Sequence, residues 1–590
     1  MASDTEKLPL LDIESAPPPR QARKRSLFRC LVPTLALFGF VYLQLAATTS
    51  GASPVQSSRC EQVDPYVPEP HDSLDRNRDV IFSPEFREKS AGVLSGFVQV
   101  RSPSFDDLGK VGEDERWNVF YEVSKYLNST FPEVFETLTL EKVNMHSPVL
   151  TWKGSDPSLK PTLLAGHLDV VPVEPATLDR WTYPPFEGHY DGELLWGRGS
   201  VDDKHAVSAI LESLTLLIKK GFRPRRTLVL AFGFDEESKG REGAGHIQKH
   251  LESTYGKDGV AVIVDEGGLG VGEQFGAKNM AIVATGEKGY VDVKFTLTSP
   301  GGHSSIPPDH TSIGIISQLV TSLEANPFQA SLPFDSPVLS LLSCAAEYGQ
   351  LPKSLKRDVK KGTAVEGKKG DHARLSAAKG FSSMGRGPRY LVSTSQAVDV
   401  IQGGVKVNAL PESVTVVANY RVAIGSEIQD VKDHITKLVH SLADQFDLSV
   451  DLFGSKRSSP AQVGSTELGF TLSEEPGSAA HLKVVSINEL PVAPVSPTTG
   501  SKAWEVLSGT IKHTMNRSKG ELIVSPGIMS GNTDTRYYWN LSRNIFRFTP
   551  MNRQLSINLH TVDERLWFND HIDAIWFYHE LIRSYDEAEL

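Results

Sequence analysis

Three short apolar runs in this chain each end in acidic or imidazole side chains. PTLLAG (161–166) leads to His167 and Asp169, TLVLAFGF (227–234) to Asp235, Glu236 and Glu237, and VAVIV (260–264) to Asp265; further on, LSINL (555–559) leads to His560. Such runs read as buried strands. Between the first two, a helix beginning near Asp203 keeps Val207, Ile210, Leu211, Leu214, Leu217 and Ile218 at helical spacing. The fold class is therefore α/β, a central mixed sheet flanked by helices. In open α/β sheets, ligands bind outside the carboxyl ends of strands. Acids and histidines gathered there repel one another unless cations compensate them, and two zinc ions suit this donor set.

A chain of 590 residues has room for two or more domains. The catalytic α/β pattern occupies 76–292 and resumes over 495–590, where AWEVLSGTIKHTM reads as a helix. Between them, residues 293–494 change character. VDVKFTLTS alternates like a half-exposed strand, TSIGIISQLVTSLEA and IQDVKDHITKLVHSLADQF read as helices, and SVTVVANYRV and LSVDLF read as strands. This is a smaller α/β sandwich inserted as a lid. Inside it, Lys353 to Arg389 is basic and rich in Gly and Ser, and reads as a long surface insertion near 350–390. The formal net charge of −11 argues against nucleic acid as the main partner.

The N-terminal segment sets the compartment. Residues 1–29 precede an uncharged stretch, Cys30 to Ala47, that is just long enough to cross a bilayer, giving an anchor over 30–48. Arg20, Arg23, Lys24, Arg25 and Arg29 stand before it, and the first basic residue after it is Arg59. The orientation is then single-pass type II, with a cytosolic tail over 1–29 and a lumenal remainder. A cleaved signal peptide is the rival, although a polar lead of this length is long for one. Residues 49–75 are polar and Pro-rich, as in a stalk. Asn128, Asn516 and Asn540 open glycosylation acceptor triplets on the lumenal side. In the tail, Glu6, Leu10 and Leu11 match an acidic dileucine signal for a sorting adaptor, which would direct the chain to a vacuole or lysosome; the alternative is an ordinary tail. Cys30, Cys60 and Cys344 are too few for a disulfide framework or a thiolate zinc cluster. Cys60 and Cys344 either pair in an oxidising compartment or remain two thiols.

Seven motifs stand in one order: GHLDVVP (166–172), WGRGSVDDK (196–204), DEESKG (235–240), VDEGG (264–268), GGHSSIP (301–307), VNALPE (407–412) and LHTVDER (559–565). Over about 80–580 the chain resembles the di-zinc carboxypeptidase/aminoacylase/carnosinase family. With its anchor and lid insertion, it resembles the vacuolar carboxypeptidase S-like branch most. The resemblance implies two Zn2+ per subunit, His167 and Asp265 binding one, Glu237 and His560 the other, and Asp202 bridging both around a shared hydroxide. It also implies a cis peptide between Asp202 and Asp203. Asp169 would orient His167, and Glu236 would act as general base, passing a proton to the leaving amine. His303, from the lid, would stabilise the oxyanion. Asn408 and Arg421 would hold the substrate carboxylate, with Arg536 assisting beside the loop Ser530 to Asp534. Against these roles, His303 also reads as a turn histidine, Arg421 as a strand-surface charge, Arg536 as structural and Asp235 as a supporting acid. Thr561, Asp563 and the loop text SGNTDT depart from the family's usual residues and bear on pocket shape.

The expected activity is zinc-dependent hydrolysis of the C-terminal peptide bond of short peptides with a free carboxylate. An N-acyl amino acid amidohydrolase is the alternative, and an inactive lumenal binding protein on the same fold is a second. Lid domains of this kind can also pair subunits into a homodimer. Neither a G-x-S-x-G elbow nor an H-E-x-x-H motif is present.

Overall fold

The computed structural model describes residues 59–457, 480–516, 520–552 and 558–590. The anchor over 30–48 and the tail residues Glu6, Leu10 and Leu11 lie outside the described residues. Among those described, no helix is long and apolar enough to cross a membrane.

Short helices at Asp72–Asp75 and Asn77–Ile81 lead into two longer ones, α1 (Pro84–Gln99) and α2 (Val119–Thr130). Ser83 caps α1 by accepting from the Phe86 amide, with Pro84 in the first turn. Then come β1 (Thr139–Val143), β2 (Ser147–Trp152), β3 (Thr162–His167), α3 (Lys204–Lys219), β4 (Leu228–Gly233), α4 (Ala244–Tyr255), β5 (Val262–Asp265) and β6 (Ala277–Glu287). The lid contributes β7 (Gly289–Thr298), β8 (Gly302–His303) and α5 (Ser312–Ala325). Four helices follow: α6 (Pro337–Tyr348), α7 (Lys353–Ala364), α8 (Lys368–Ser382) and α9 (Arg386–Leu391). The lid resumes with β9 (Ser395–Gly403), β10 (Ala409–Leu410), β11 (Ser413–Val422), α10 (Ile428–Phe446), β12 (Ser449–Leu452), β13 (Ser455–Arg457) and β14 (His481–Leu490). The chain returns through α11 (Lys502–Met515), β15 (Ile523–Met529), β16 (Ile545–Arg547) and α12 (Phe568–Glu587).

The catalytic sheet has the order β1-β2-β4-β3-β5-β16-β6-β15, with the strand Gly270–Gln274 paired beside β6. Its centre is parallel: β4, β3, β5 and β16 run the same way. Every residue of β3 and β4 is buried, because helices cover both faces. Alternation sorts them. Leu164 and Leu230 pack with α1, α3, α11 and α12, while Leu163, Ala165 and Val229 pack with α4. Since β4, β3 and β5 are adjacent and parallel, their carboxyl ends open together on one edge.

The lid sheet has the order β9-β11-β7-β14-β12-β13. In β7 and β11 every second residue is buried. Val291, Val293, Phe295 and Leu297 meet Val416 and Tyr420 under α5 and α10. The lid strands begin at Gly289, earlier than the expected 293, and Lys288 alone separates the two sheets on the way in. The return strand β14 pairs with β7 at the same place, Tyr290 opposite Leu490.

Two segments differ from the sequence reading. The basic stretch is not a loose surface insertion. Leu339, Leu342, Leu355, Val359, Ala377 and Phe381 of α6 to α8 form a core that includes Ile528 of β15, so the insertion packs on the edge of the catalytic sheet. Its Gly and Ser content masked the helical spacing of these apolar residues. The second half of the expected stalk is also packed down. Cys60 is buried and disulfide-bonded to Cys344 of α6. Gln62 accepts from the Val524 amide and donates to the Val524 carbonyl, both at 3.0 Å, which covers the edge strand β15. Most of the expected strand LSINL, residues 555–557, lies outside the described residues. All five apolar cores belong to one compact unit, Ser57–Leu590.

Candidate active site

Asp202 spans two imidazoles at the edge where β3, β4 and β5 end. Its Oδ1 lies 2.9 Å from His167 Nε2 and its Oδ2 lies 2.9 Å from His560 Nε2. Glu237 Oε1 stands 3.3 Å from His560 Nε2, and Glu266 Oε1 stands 3.4 Å from His167 Nε2. Two groups have ligand atoms within 4.8 Å of one another: His167, Asp202 and Glu237, and His167, Asp203 and Glu266. Glu236, beside them, joins Asp202, Glu237, Glu266 and His560 in lining a cavity of about 250 Å3, with Met529, Asn532 and Met551 on its wall.

Glu266 was not singled out from the sequence, and Asp265 was. Asp265 closes β5: its Oδ1 accepts the Glu266 amide at 2.9 Å, its Oδ2 is buried without a partner, and it belongs to neither group. Successive residues of a strand face opposite sides, so of an Asp-Glu pair at a strand end one acid faces the site. The doublet was visible; which member faces inward was not.

The loops are held by other buried acids. Glu564, fully buried, accepts from the amides of Gly199 and Val201 at 3.0 and 3.1 Å and pairs with Arg198 at 2.5 Å, which fixes the turn carrying Asp202. Gly199 sits there at φ 86°, and a side chain on it would strike Val170. The Asp202–Asp203 peptide is cis, as expected. The Asp169 carboxylate accepts from the amides of Glu236 and Glu237, each at 3.1 Å, and lies 3.3 Å from His167 Nδ1, whose closer partner is the Asp169 carbonyl at 3.0 Å. Asp235 accepts from the amides of Glu242 and Gly243 at the start of α4 and is buried. Asp235 and Asp169 thus support the acidic turn from behind.

Electrostatically the site is overloaded with negative charge. Burial pushes the Glu236 carboxyl well above the usual carboxylate range, and Asp534 and Glu237 add to it. Burial, then Asp202, does the same to Glu266. Hydrogen bonds to Asp202 and Glu237 lift the His560 imidazole to about 10. Among the described residues, Asp203 Oδ1 and Asp265 Oδ2 are buried with no hydrogen-bond partner. Buried carboxylate oxygens that lack donors fit cations, and the His and carboxylate donors suit zinc.

The residues expected at the substrate distribute unevenly. Arg536 lies 3.3 Å from Glu236 Oε1, so it faces the expected base. Arg421, on β11, donates to Asn532 Oδ1 at 2.9 Å, and Asn532 donates to the Lys288 carbonyl at 2.6 Å. His303 and Asn408 are exposed on the small ribbon of β8 and β10 and are not part of the cavity wall. His303 Nδ1 accepts from the Ser305 amide at 3.1 Å. Asn128, Asn516 and Asn540 are all exposed.

Residues 163–584 match peptidase family M20/M25/M40. Carboxypeptidase S of Saccharomyces cerevisiae is 39% identical over 546 residues, covering 91% of this chain and 90% of that protein. N-fatty-acyl-amino acid synthase/hydrolase PM20D1 of Xenopus tropicalis is 28% identical over 521 residues, 85% of this chain and 86% of that protein. The crystal structure of human carnosine dipeptidase 1 shares the fold with a TM-score of 0.58 at 13% identity, covering 88% of this chain and 100% of that one. Motif order, strand-end acids and these similarities agree, and the chain belongs to peptidase family M20/M25/M40 as a carboxypeptidase S-like hydrolase.

Proposed function

We propose that this protein is a metallocarboxypeptidase that releases the C-terminal residue of short peptides. The observation that carries this reading is the single carboxylate of Asp202 reaching both His167 and His560, with Glu236 alongside. His167, Glu266 and Asp202 would hold one zinc ion, and His560, Glu237 and Asp202 a second; Asp265 is replaced by Glu266 in this assignment. When bound, paired zinc ions supply Lewis-acid polarisation and lower the pKa of water. Glu236 accepts the proton of the attacking water and delivers it to the leaving nitrogen. Arg536 keeps Glu236 oriented. Arg421 and Asn532 face the free carboxylate of the substrate, for which a guanidinium fork is suited. The oxyanion role of His303, and a substrate contact from Asn408, require the β8–β10 ribbon to approach the cavity.

The anchor over 30–48, type II orientation and lumenal placement belong to the same proposal. The Cys60–Cys344 disulfide and three exposed acceptor asparagines support a secretory route. Delivery to a vacuole rests on Glu6, Leu10 and Leu11. Hydrolysis of N-acyl amino acids is the second reading. It is favoured by the apolar wall of Met529 and Met551, side chains that adapt to varied apolar groups. The test compares a blocked dipeptide, its C-terminal amide and a fatty-acyl amino acid as substrates, with and without chelator. Preference for the dipeptide acid, abolished by chelation, is expected; equal cleavage of the amide would remove the carboxypeptidase reading.

A further inference from the structure

We infer that Lys288 is a positioning residue for substrate binding, through which the turn that closes the helical insertion sets the cavity-lining Asn532. This rests on the proposed contact of Arg421 and Asn532 with the substrate carboxylate. Lys288 is the one residue between β6 and β7, and its side chain is fully buried. Its ammonium donates to the carbonyls of Tyr390 and Ser393, at 3.1 and 2.9 Å, where α9 ends and β9 is about to begin. Its backbone carbonyl accepts from Asn532 Nδ2 at 2.6 Å, and its amide donates to the Met529 carbonyl at 3.2 Å. One residue thus joins the exit of the insertion to the end of β15 and to the loop 530–534. Glu287, just before it, holds the next loop residue. Its carboxylate accepts from the Thr533 amide and hydroxyl at 3.0 and 2.8 Å.

The same turn reaches Arg421. Thr394 Oγ1 accepts from the Ala423 amide at 3.0 Å, and Ser395 and Tyr290 stand opposite Arg421 in the neighbouring strands β9 and β7. The Arg421 guanidinium lies 5.5 Å from the Tyr290 ring centroid and donates to Asn532 Oδ1 at 2.9 Å. The side-chain amide of Asn532 is therefore held at both ends, by the lid through Arg421 and by the link between the two sheets through Lys288. Burial pulls the Lys288 ammonium down to about 7, and the like charge of Arg421 adds to the pull. A buried ammonium is a costly donor for two carbonyls. An anion arriving at Arg421 offsets the mutual repulsion of the two cations. Without the ammonium, the Tyr390 and Ser393 carbonyls lose this donor and the link is free to shift. Asn532 then leaves the place from which it and the Arg421 fork meet one carboxylate together.

The test uses the full chain, with a blocked dipeptide acid and its C-terminal amide as substrates. In Lys288→Met, KM for the acid is expected to rise about tenfold or more while kcat stays within about threefold, the pattern of lost binding rather than lost chemistry. KM for the amide, which presents no carboxylate, should hold. Asn532→Ala should give the same split, and adding Lys288→Met to it should change little further, because one residue acts through the other. Lys288→Gln, shorter and uncharged but still a donor, should fall between, and it carries the comparison alone if Lys288→Met does not fold. An unchanged KM for the acid, an equal rise for both substrates, or additive effects of Lys288→Met and Asn532→Ala would each overturn the proposal. Arg421→Met tests the underlying contact separately. If that variant still favours the acid over the amide, the carboxylate assignment itself is lost. If Arg421→Met loses the preference and Lys288→Met keeps it, only the role of Lys288 is removed.

Discussion

A guanidinium nitrogen of Arg536 lies 3.3 Å from a carboxylate oxygen of Glu236, with both side chains about nine-tenths buried. Buried so deeply beside Glu236, Arg536 is assigned in the proposed mechanism to orient that carboxylate. Glu236→Gln is expected to lower kcat by about 10²–10⁴-fold while bound metal is retained, the loss typical of a general base. Arg536→Met should cost about 10–100-fold, as for residues that orient a reacting group. Metal analysis alongside kcat separates the two effects; a kcat unaltered by Glu236→Gln would remove it as the base.

Glu266 and Asp265 make opposite predictions for metal content. Glu266→Ala should drop bound zinc from two ions toward one, since its oxygen faces His167. Asp265→Asn should retain both ions, because that side chain caps the Glu266 amide. Metal analysis of dialysed protein decides, and the reverse pattern would restore Asp265 as ligand. Because a metal that binds only the folded state stabilises it, chelation should also lower Tm in the unaltered protein.

The Cys60–Cys344 disulfide closes a loop of sequence separation 284. Long loops gain most from closure, so Cys344→Ser is expected to cost about 2–5 kcal/mol. A fall in Tm that reducing agent reproduces in the unaltered protein, but not in the variant, is the outcome to check. Dipeptide hydrolysis at low temperature should persist, since neither cysteine lies near the cavity.

Acid should destabilise the fold through Glu580. Burial pushes this carboxyl up, but hydrogen bonds with His513 and His579, together with Arg583, outweigh burial and hold it at about 2. A carboxyl depressed in the folded state stabilises above its unfolded pKa of about 4.3, and that stability is lost as pH falls toward about 2. His579 acts in the same direction. Burial makes it harder to protonate in the fold than in the open chain, so falling pH favours unfolding. Glu580→Gln should therefore lower stability at neutral pH and flatten its decline in acid, read from denaturant melts across that range.

How much of this was legible beforehand depends on the residue. Strands β3, β4 and β5 were plain, because burial on both faces leaves short unbroken apolar runs. Strand β11 and helix α10 were visible from their alternation and helical spacing. The insertion helices were not, since Lys residues crowd their outer side and the inner side mixes Leu355, Val359 and Phe381 with the small residues Gly362, Gly370, Ala373, Ala377 and Ala378. In the site, His167, Asp202, Glu237 and His560 meet as the motifs implied. Glu266 needed the direction of one side chain at a strand end, which spacing does not contain. Glu564 could have been noticed as a charged residue inside a motif; its signal is the run of amides it gathers from Gly199 to Val201, which only folding brings to it.

The disulfide that joins the first described residues to α6 also decides where mechanical load goes. A pull on the N-terminal segment meets Cys60 first and passes through Cys344 into the insertion and the β6–β15 side of the sheet, against which α6 packs. Strands β3, β4 and β5 stand on the far side of β16 from that corner. Were the proposed anchor to tether it, the enzyme could be tugged by its support while the strand ends that carry its histidine and acids stay in register.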